Sequence, residues 1–192
     1  MRLVILVCCL VFARIGLSGQ TFSAALVAGT NLSQIDGDKL VGFHRLGLNT
    51  GARVAARFTD RWSMSLEMLY SQQGANRVRN DDPSSIYDNI RLNFVEAPVM
   101  INFSDWKILA SAGVSYARLI DFTAIDIGGE DISEMENYNP GIFSILLGGT
   151  FLLGEDWGLN IRWSKYLNNL WMGADDQRFI GRNVSVRLYY FL

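Results

Sequence analysis

His44 is the one histidine in this 192-residue chain. No other side chain has an ordinary pKa suited to a general base near neutral pH. A lipid-modifying barrel enzyme would need such a base beside a nucleophile, so an enzymatic role would rest on His44. The supporting motifs are missing: no H-E-x-x-H, no G-x-S-x-G and no phosphate-cradling glycine loop occurs. Asp126, Glu130, Asp131, Glu134 and Glu136 crowd one stretch, and oxygen ligands at that density suit calcium. Their spacing matches no known calcium loop, and a solvated acidic loop explains them as well. Cys8 and Cys9 both lie in the apolar N-terminal segment, so the chain beyond it has no thiolate nucleophile, disulfide or cysteine metal site. The chain is therefore expected to be no enzyme and to need no cofactor or metal.

The remaining chemistry is in charges set among apolar residues. Trp62, Met64, Leu66, Met68 and Tyr70 alternate with Ser63, Ser65 and Glu67. Period two means a strand with one apolar and one polar face. Lys107, Ser111 and Ser115 alternate in the same way with Trp106 to Tyr116, and Asn160 and Arg162 with Trp157 to Trp163. If every polar face looks into a closed barrel, the lumen receives Arg53, Arg57, Glu67, Lys107, Arg162 and Arg187. A turn at 59–61 sets Arg53 opposite Glu67 and Arg57 opposite Ser63. A turn at 104–105 sets Glu96 opposite Gly113, where the missing side chain leaves room. Buried charges need partners. The expectation is a lumen filled by an ion-pair and hydrogen-bond network; a narrow pore is the functional alternative.

The elements that position these residues number eight, near 21–30, 41–58, 62–74, 89–103, 106–122, 141–153, 157–167 and 180–192. Short turns, F-T-D-R-W, F-S-D-W and L-G-E-D-W-G, alternate with long polar connections around 31–39, 75–88, 123–139 and 168–178. Up-and-down topology puts all short turns on one rim and all long loops on the other, the habit of outer-membrane barrels. Trp62, Trp106 and Trp157 each follow a short turn and form an aromatic girdle at one height. Tyr70 and Tyr116 lie eight and ten residues above the first two. At roughly 2.5 Å of height per tilted residue, those spans are roughly 20 and 25 Å, near the apolar band of such barrels. Around Glu96-Ala97-Pro98 the alternation looks broken, and a bulge at Pro98 is expected because proline cannot donate to the ladder.

Arg2, the apolar run Leu3 to Ala13 and the small residues Gly16, Ser18 and Gly19 have the layout of a secretory signal peptide over 1–19. The domain proper is then 20–192. A lipoprotein signal through Cys8 or Cys9 has too little apolar sequence before it. Removal of Arg2 and Arg14 leaves 15 basic and 19 acidic residues, net −4. That balance gives no basic surface for nucleic acid. No other run reaches the 18 apolar residues of a spanning helix.

S-L-E-M-L-Y-S-Q-Q-G at 65–74 and N-F-V-E-A-P-V-M at 93–100 resemble paired motifs of the PorT-like family of small outer-membrane barrels. G-T-N-L-S-Q-I-D-G-D at 29–38 fits that family's first strand and loop. The terminal Y-Y-F-L resembles the signal read by the outer-membrane assembly machinery, with Leu192 where phenylalanine is usual. The resemblance implies an all-β, eight-stranded antiparallel transmembrane barrel in the outer membrane, with both termini periplasmic. Some members of that family take part in protein secretion, which implies a secretion-machinery partner; the apolar outer face, the terminal strand and the long loops are expected to meet outer-membrane lipid, the assembly machinery during insertion, and an external protein. A soluble lipocalin-like carrier is the competing class; Arg53 and Glu67 on the inner face argue against it.

Overall fold

The computed structural model describes residues 21–37, 40, 42–78, 85–172 and 178–192. The expected leader, and 38–39, 41, 79–84 and 173–177 of the long connections, lie outside them. Eight strands follow in order: β1 (Phe22–Asp36), β2 (Arg45–Arg57), β3 (Trp62–Asn76), β4 (Tyr87–Asp105), β5 (Ile108–Asp126), β6 (Gly141–Leu152), β7 (Trp157–Tyr166) and β8 (Ile180–Phe191). Each pairs antiparallel with the next, and β1 pairs with β8 from Ala25–Phe191 to Asp36–Ile180. The sheet is thus a closed up-and-down barrel. Short turns join β2 to β3, β4 to β5 and β6 to β7; the longer connections share the opposite rim.

The dyad repeat sets the two surfaces. Met64, Leu66 and Met68 point outward, Leu66 and Met68 being 57% and 68% exposed. Ser65 and Glu67 between them are buried inside. The same parity holds in β2, where Leu46, Leu48 and Val54 face out and Asn49 and Arg53 face in. An outer wall so apolar cannot offer partners to backbone amides, and closure supplies them from within the sheet.

Four expectations are corrected. β1 runs to Asp36 rather than ending near 30, because Asn31 and Ser33 face the lumen and bond β3. Asn31 Nδ2 donates to Ser71 Oγ and to the Gln72 carbonyl, both at 2.9 Å. Ser33 Oγ accepts the Gly74 amide at 2.9 Å. The turn between β4 and β5 is Trp106-Lys107, with Trp106 at φ +51°, not Ser104-Asp105. Trp106 is therefore a turn residue, 81% exposed, rather than the first residue of a strand. The register moves accordingly: Glu96 pairs with Ala117, and Met100 with Gly113. The space that Gly113 leaves is taken by Met100, whose Sδ would lie 2.8 Å from a Cβ there.

In β4, the alternation does not break. Ile90, Leu92, Phe94, Glu96, Met100 and Asn102 all face inward. Pro98 interrupts the ladder to β3 without changing its register, which is the same at Leu69–Glu96 and Leu66–Val99. The irregularities lie between Tyr87 and Asn89 and between Asn93 and Phe94 against β5. The second leaves Ile120 unpaired, so Phe122 and Ala124 turn inward where the β5 parity would have put them outside.

Inward glycines let β1 reach β3 past β2. A Cβ on Gly51 would overlap the Met68 carbonyl oxygen. Gly51→Val is expected to prevent closure of the barrel, measured as loss of the heat-modifiable folded species on cold gels. The outward Ala52→Val should retain that species. Equal folding of the two would contradict the packing described.

Candidate functional site: a charged lumen beneath an apolar cap

Glu67 sits on β3 and Arg162 on β7. These strands are four apart around an eight-strand ring, so contact between them spans the bore. Arg162 donates both Nη groups to Glu67, at 2.9 and 2.7 Å. Arg187 Nη1 donates to Glu67 Oε2 at 3.2 Å, and the Tyr189 hydroxyl to Oε1 at 3.2 Å. Arg53 stands opposite Glu67 in register and brings Nε to 3.8 Å from Oε1. Arg187 Nε also donates to Asn160 Oδ1 at 3.1 Å, and Asn160 Nδ2 to Thr150 Oγ1 at 2.8 Å. One carboxylate thus gathers three guanidiniums, and it is 1% exposed. Forked, charge-assisted bonds of this kind fix geometry as well as offsetting burial.

Glu96 is buried in the same lumen but makes no ion pair with any described residue. Arg57 faces Ser63 and lies exposed at the short-turn rim. Lys107 lies in the exposed turn, its ammonium 5.6 Å from the Trp106 ring centroid. Lys107 lies in the turn between β4 and β5, outside the lumen expected for it, whereas Arg57 ends β2 on the expected face but only at the mouth of the bore. Trp62 and Trp157 stand on the outer wall, packed with tilted rings at 5.0 Å against Phe103 and 4.9 Å against Tyr190. Tyr70 donates to Asn93 at 3.2 Å, and Tyr116 packs at 5.1 Å on Phe143.

Above the charges lies a polar layer. Asn49 donates to Asn31 at 3.0 Å, and the Tyr166 hydroxyl to Gln73 at 2.8 Å, again from β7 to β3. Above that comes a layer that the sequence did not reveal. Ile35, Ile90, Leu92, Phe94, Ile142 and Tyr166 from the strand tops pack with Leu40, Tyr138, Leu170 and Phe179 from the connections. The cap is knitted by a bridge between Tyr138 and Trp171 and by edge-on rings, such as Phe122 on Tyr138 at 5.0 Å. The even-numbered run Ile90, Leu92, Phe94, continuous in parity with Glu96, was the signal available.

The loop rim carries the other candidates. His44 is exposed, and its backbone amide donates to the Gly42 carbonyl at 2.9 Å. The acidic stretch uses its carboxylates on its own backbone. Asp126 Oδ1 accepts the Gly128 and Glu130 amides at 2.8 Å, and Asp131 Oδ1 accepts the Ser133 amide at 2.9 Å. Among the described residues, no three His, Cys, Asp or Glu side chains converge as a metal site. Glu136 accepts from the Tyr87 hydroxyl at 3.0 Å. Burial raises its pKa above the ordinary carboxylate value, partly offset by that bond.

No protein-family model and no curated protein matches the chain. Solved structures do. Neisserial surface protein A is 12% identical, with 90% of this chain covering 99% of that one at a TM-score of 0.52. Ail, the attachment invasion locus protein of Yersinia pestis, is 10% identical, over 89% of this chain and 97% of that one, at 0.49. The outer membrane protein OprG from Pseudomonas aeruginosa is 12% identical, over 91% and 96%, at 0.44. The similarity to Neisserial surface protein A is one of fold: the closed eight-stranded barrel of small outer-membrane proteins.

Glu67→Ala leaves three guanidiniums buried around an empty space. It should lower stability by about 3–5 kcal/mol, read as a shift in urea midpoint in lipid vesicles. The exposed Arg182–Asp36 pair, at 2.7 Å, gives the comparison: Arg182→Gln should change stability by less than about 1 kcal/mol. Equal losses would remove the central role of Glu67. A carboxyl with a raised folded pKa contributes stability below its unfolded pKa, and that contribution is lost as pH rises through the folded value. Amide protection factors around Glu136, with the intrinsic pH dependence of exchange divided out, should therefore fall from pH 4 to 7, and Glu136→Gln should flatten that dependence. An unchanged profile would contradict it.

Proposed function

We propose that the chain is an integral outer-membrane barrel that carries no solute along its axis and acts through its loop rim, without catalysis. The observation that carries this is the pairing of an apolar outer wall with a bore crossed by Glu67–Arg162 and stoppered by the Phe94–Tyr166–Phe179 cap. Trp62 and Trp157 near one rim and Tyr116 and Phe143 nearer the other suit the two interfaces of a bilayer. Lipid is then the first partner of the wall, and both ends of the barrel sheet lie on the periplasmic, short-turn side. The outward Val186, Leu188 and Tyr190 of β8 suit presentation to the outer-membrane assembly machinery.

The loops are the surface left for recognition of an external or secretion-machinery protein. The secretion link is supported only by the PorT-like motifs at 65–74 and 93–100. A lipid-modifying role would rest on His44 at the loop rim. His44→Gln should leave cellular lipid profiles unchanged, and a lost lipid modification would revive it.

Two measurements test the proposal. The protein should sediment with outer membranes and need detergent for release; recovery in the soluble fraction would overturn the location. Purified barrel in planar bilayers should give no stable conductance steps. Persistent open-channel steps would overturn the closed axis.

A further inference from the structure

At the end of the bore opposite the cap, the short-turn mouth encloses a cavity of about 280 Å³ open to solvent. That is near the lower edge of small-molecule sites, roughly 300 Å³. Arg53 lines it, with a side chain only 4% exposed. Its nearest carboxylate, Glu67, is already occupied by two Nη groups of Arg162, one of Arg187 and the Tyr189 hydroxyl. Arg53 is the guanidinium left over. Its Nε–Glu67 separation of 3.8 Å is too long for a hydrogen bond, and its other contact is a stack 5.7 Å over the Tyr189 ring. Among the described residues it donates no hydrogen bond to another side chain, and none of its nitrogens is sealed from the cavity. A fork of unused donors so nearly buried is suited to an incoming anion.

Arg57 and Arg61 line the same cavity, against Asp60 and Glu155. Three guanidiniums against two carboxylates leave one positive charge in excess; behind the inner wall, Arg162 and Arg187 are matched in number by Glu67 and Glu96. We propose that this mouth binds a small soluble anion through a phosphate or carboxylate group. Arg53 provides the inner grip, and Arg57 and Arg61 provide the rim. Leu109, Leu152 and Phe191 on the wall admit an apolar body attached to that group. The mouth opens along the barrel axis, so the ligand arrives from water at that end, not sideways from lipid. The site stands whatever partner the loops engage.

The test is titration of the folded full chain in zwitterionic detergent with inorganic phosphate or with acetate, at ionic strength held constant with chloride. Amide NMR shifts are the readout. Saturable shifts should appear at Ser23, Ser63 and Ser104, which border the cavity. Arg57→Gln with Arg61→Gln removes two exposed cations without touching the bore, and should weaken binding by about tenfold or more. Arg182→Gln, near the opposite rim, should titrate as the parent does. If phosphate alone, or acetate alone, saturates, the site stands and its preferred group is identified. The proposal is overturned if neither anion saturates, if the shifts cluster at the loop rim, or if the rim double variant binds as the parent does. Arg53→Lys adds a second check, since it keeps the charge but loses the fork; it should bind more weakly than the parent.

Discussion

A strand whose outward residues are Met64, Leu66 and Met68 has its polar backbone between an apolar surface and a crowded bore. Neither side offers enough water to satisfy an unpaired amide. Every N–H and C=O must therefore find its partner in a neighbouring strand, and no strand may be left at an edge. The β1–β8 pairing satisfies that demand, and most of the remaining structure follows from it. An eight-strand ring has a narrow bore, so inward side chains meet across it. Whatever the dyad repeat sends inward must then be mutually satisfied.

The lumen meets this requirement in layers. Near the short turns, charge is concentrated on Glu67, whose partners come from β2, β7 and β8. In the middle, amides and hydroxyls such as Asn31, Ser71 and Gln73 bond one another or the backbone. Near the loops the interior is apolar. Glycine makes the tight curvature possible: at Gly51 a side chain would collide with the next strand's backbone.

The lipid-type outer face was legible because its rule is simple: alternate residues must be apolar over a full strand. Strand number, order and the placing of short and long connections followed from it. The inner face obeys no such rule. Asn31 and Ser33 read as loop because a polar lumen residue and a loop residue look alike in sequence. Ile90, Leu92 and Phe94 read as a break in alternation because apolar residues were expected outside. Trp106 read as a strand start because a left-handed tryptophan in a tight turn is uncommon. Of the site, the opposition of Arg53 and Glu67 could be read from one turn length. The link from Glu67 to Arg162 could not, since it crosses 95 residues of chain and the whole bore.

The cap has a consequence for how the molecule tolerates change. Its members come from strand ends and from at least three connecting segments at once, Leu40, Tyr138 and Leu170 among them. The upper part is therefore built like the interior of a small water-soluble domain, seated on a lower part whose greasy side faces outward. Surface variation in the connections is free only where it leaves these inward anchors in place. Transplanting one connection by itself would uncork the barrel, whereas exchanging the connections as a matched set would keep it stoppered.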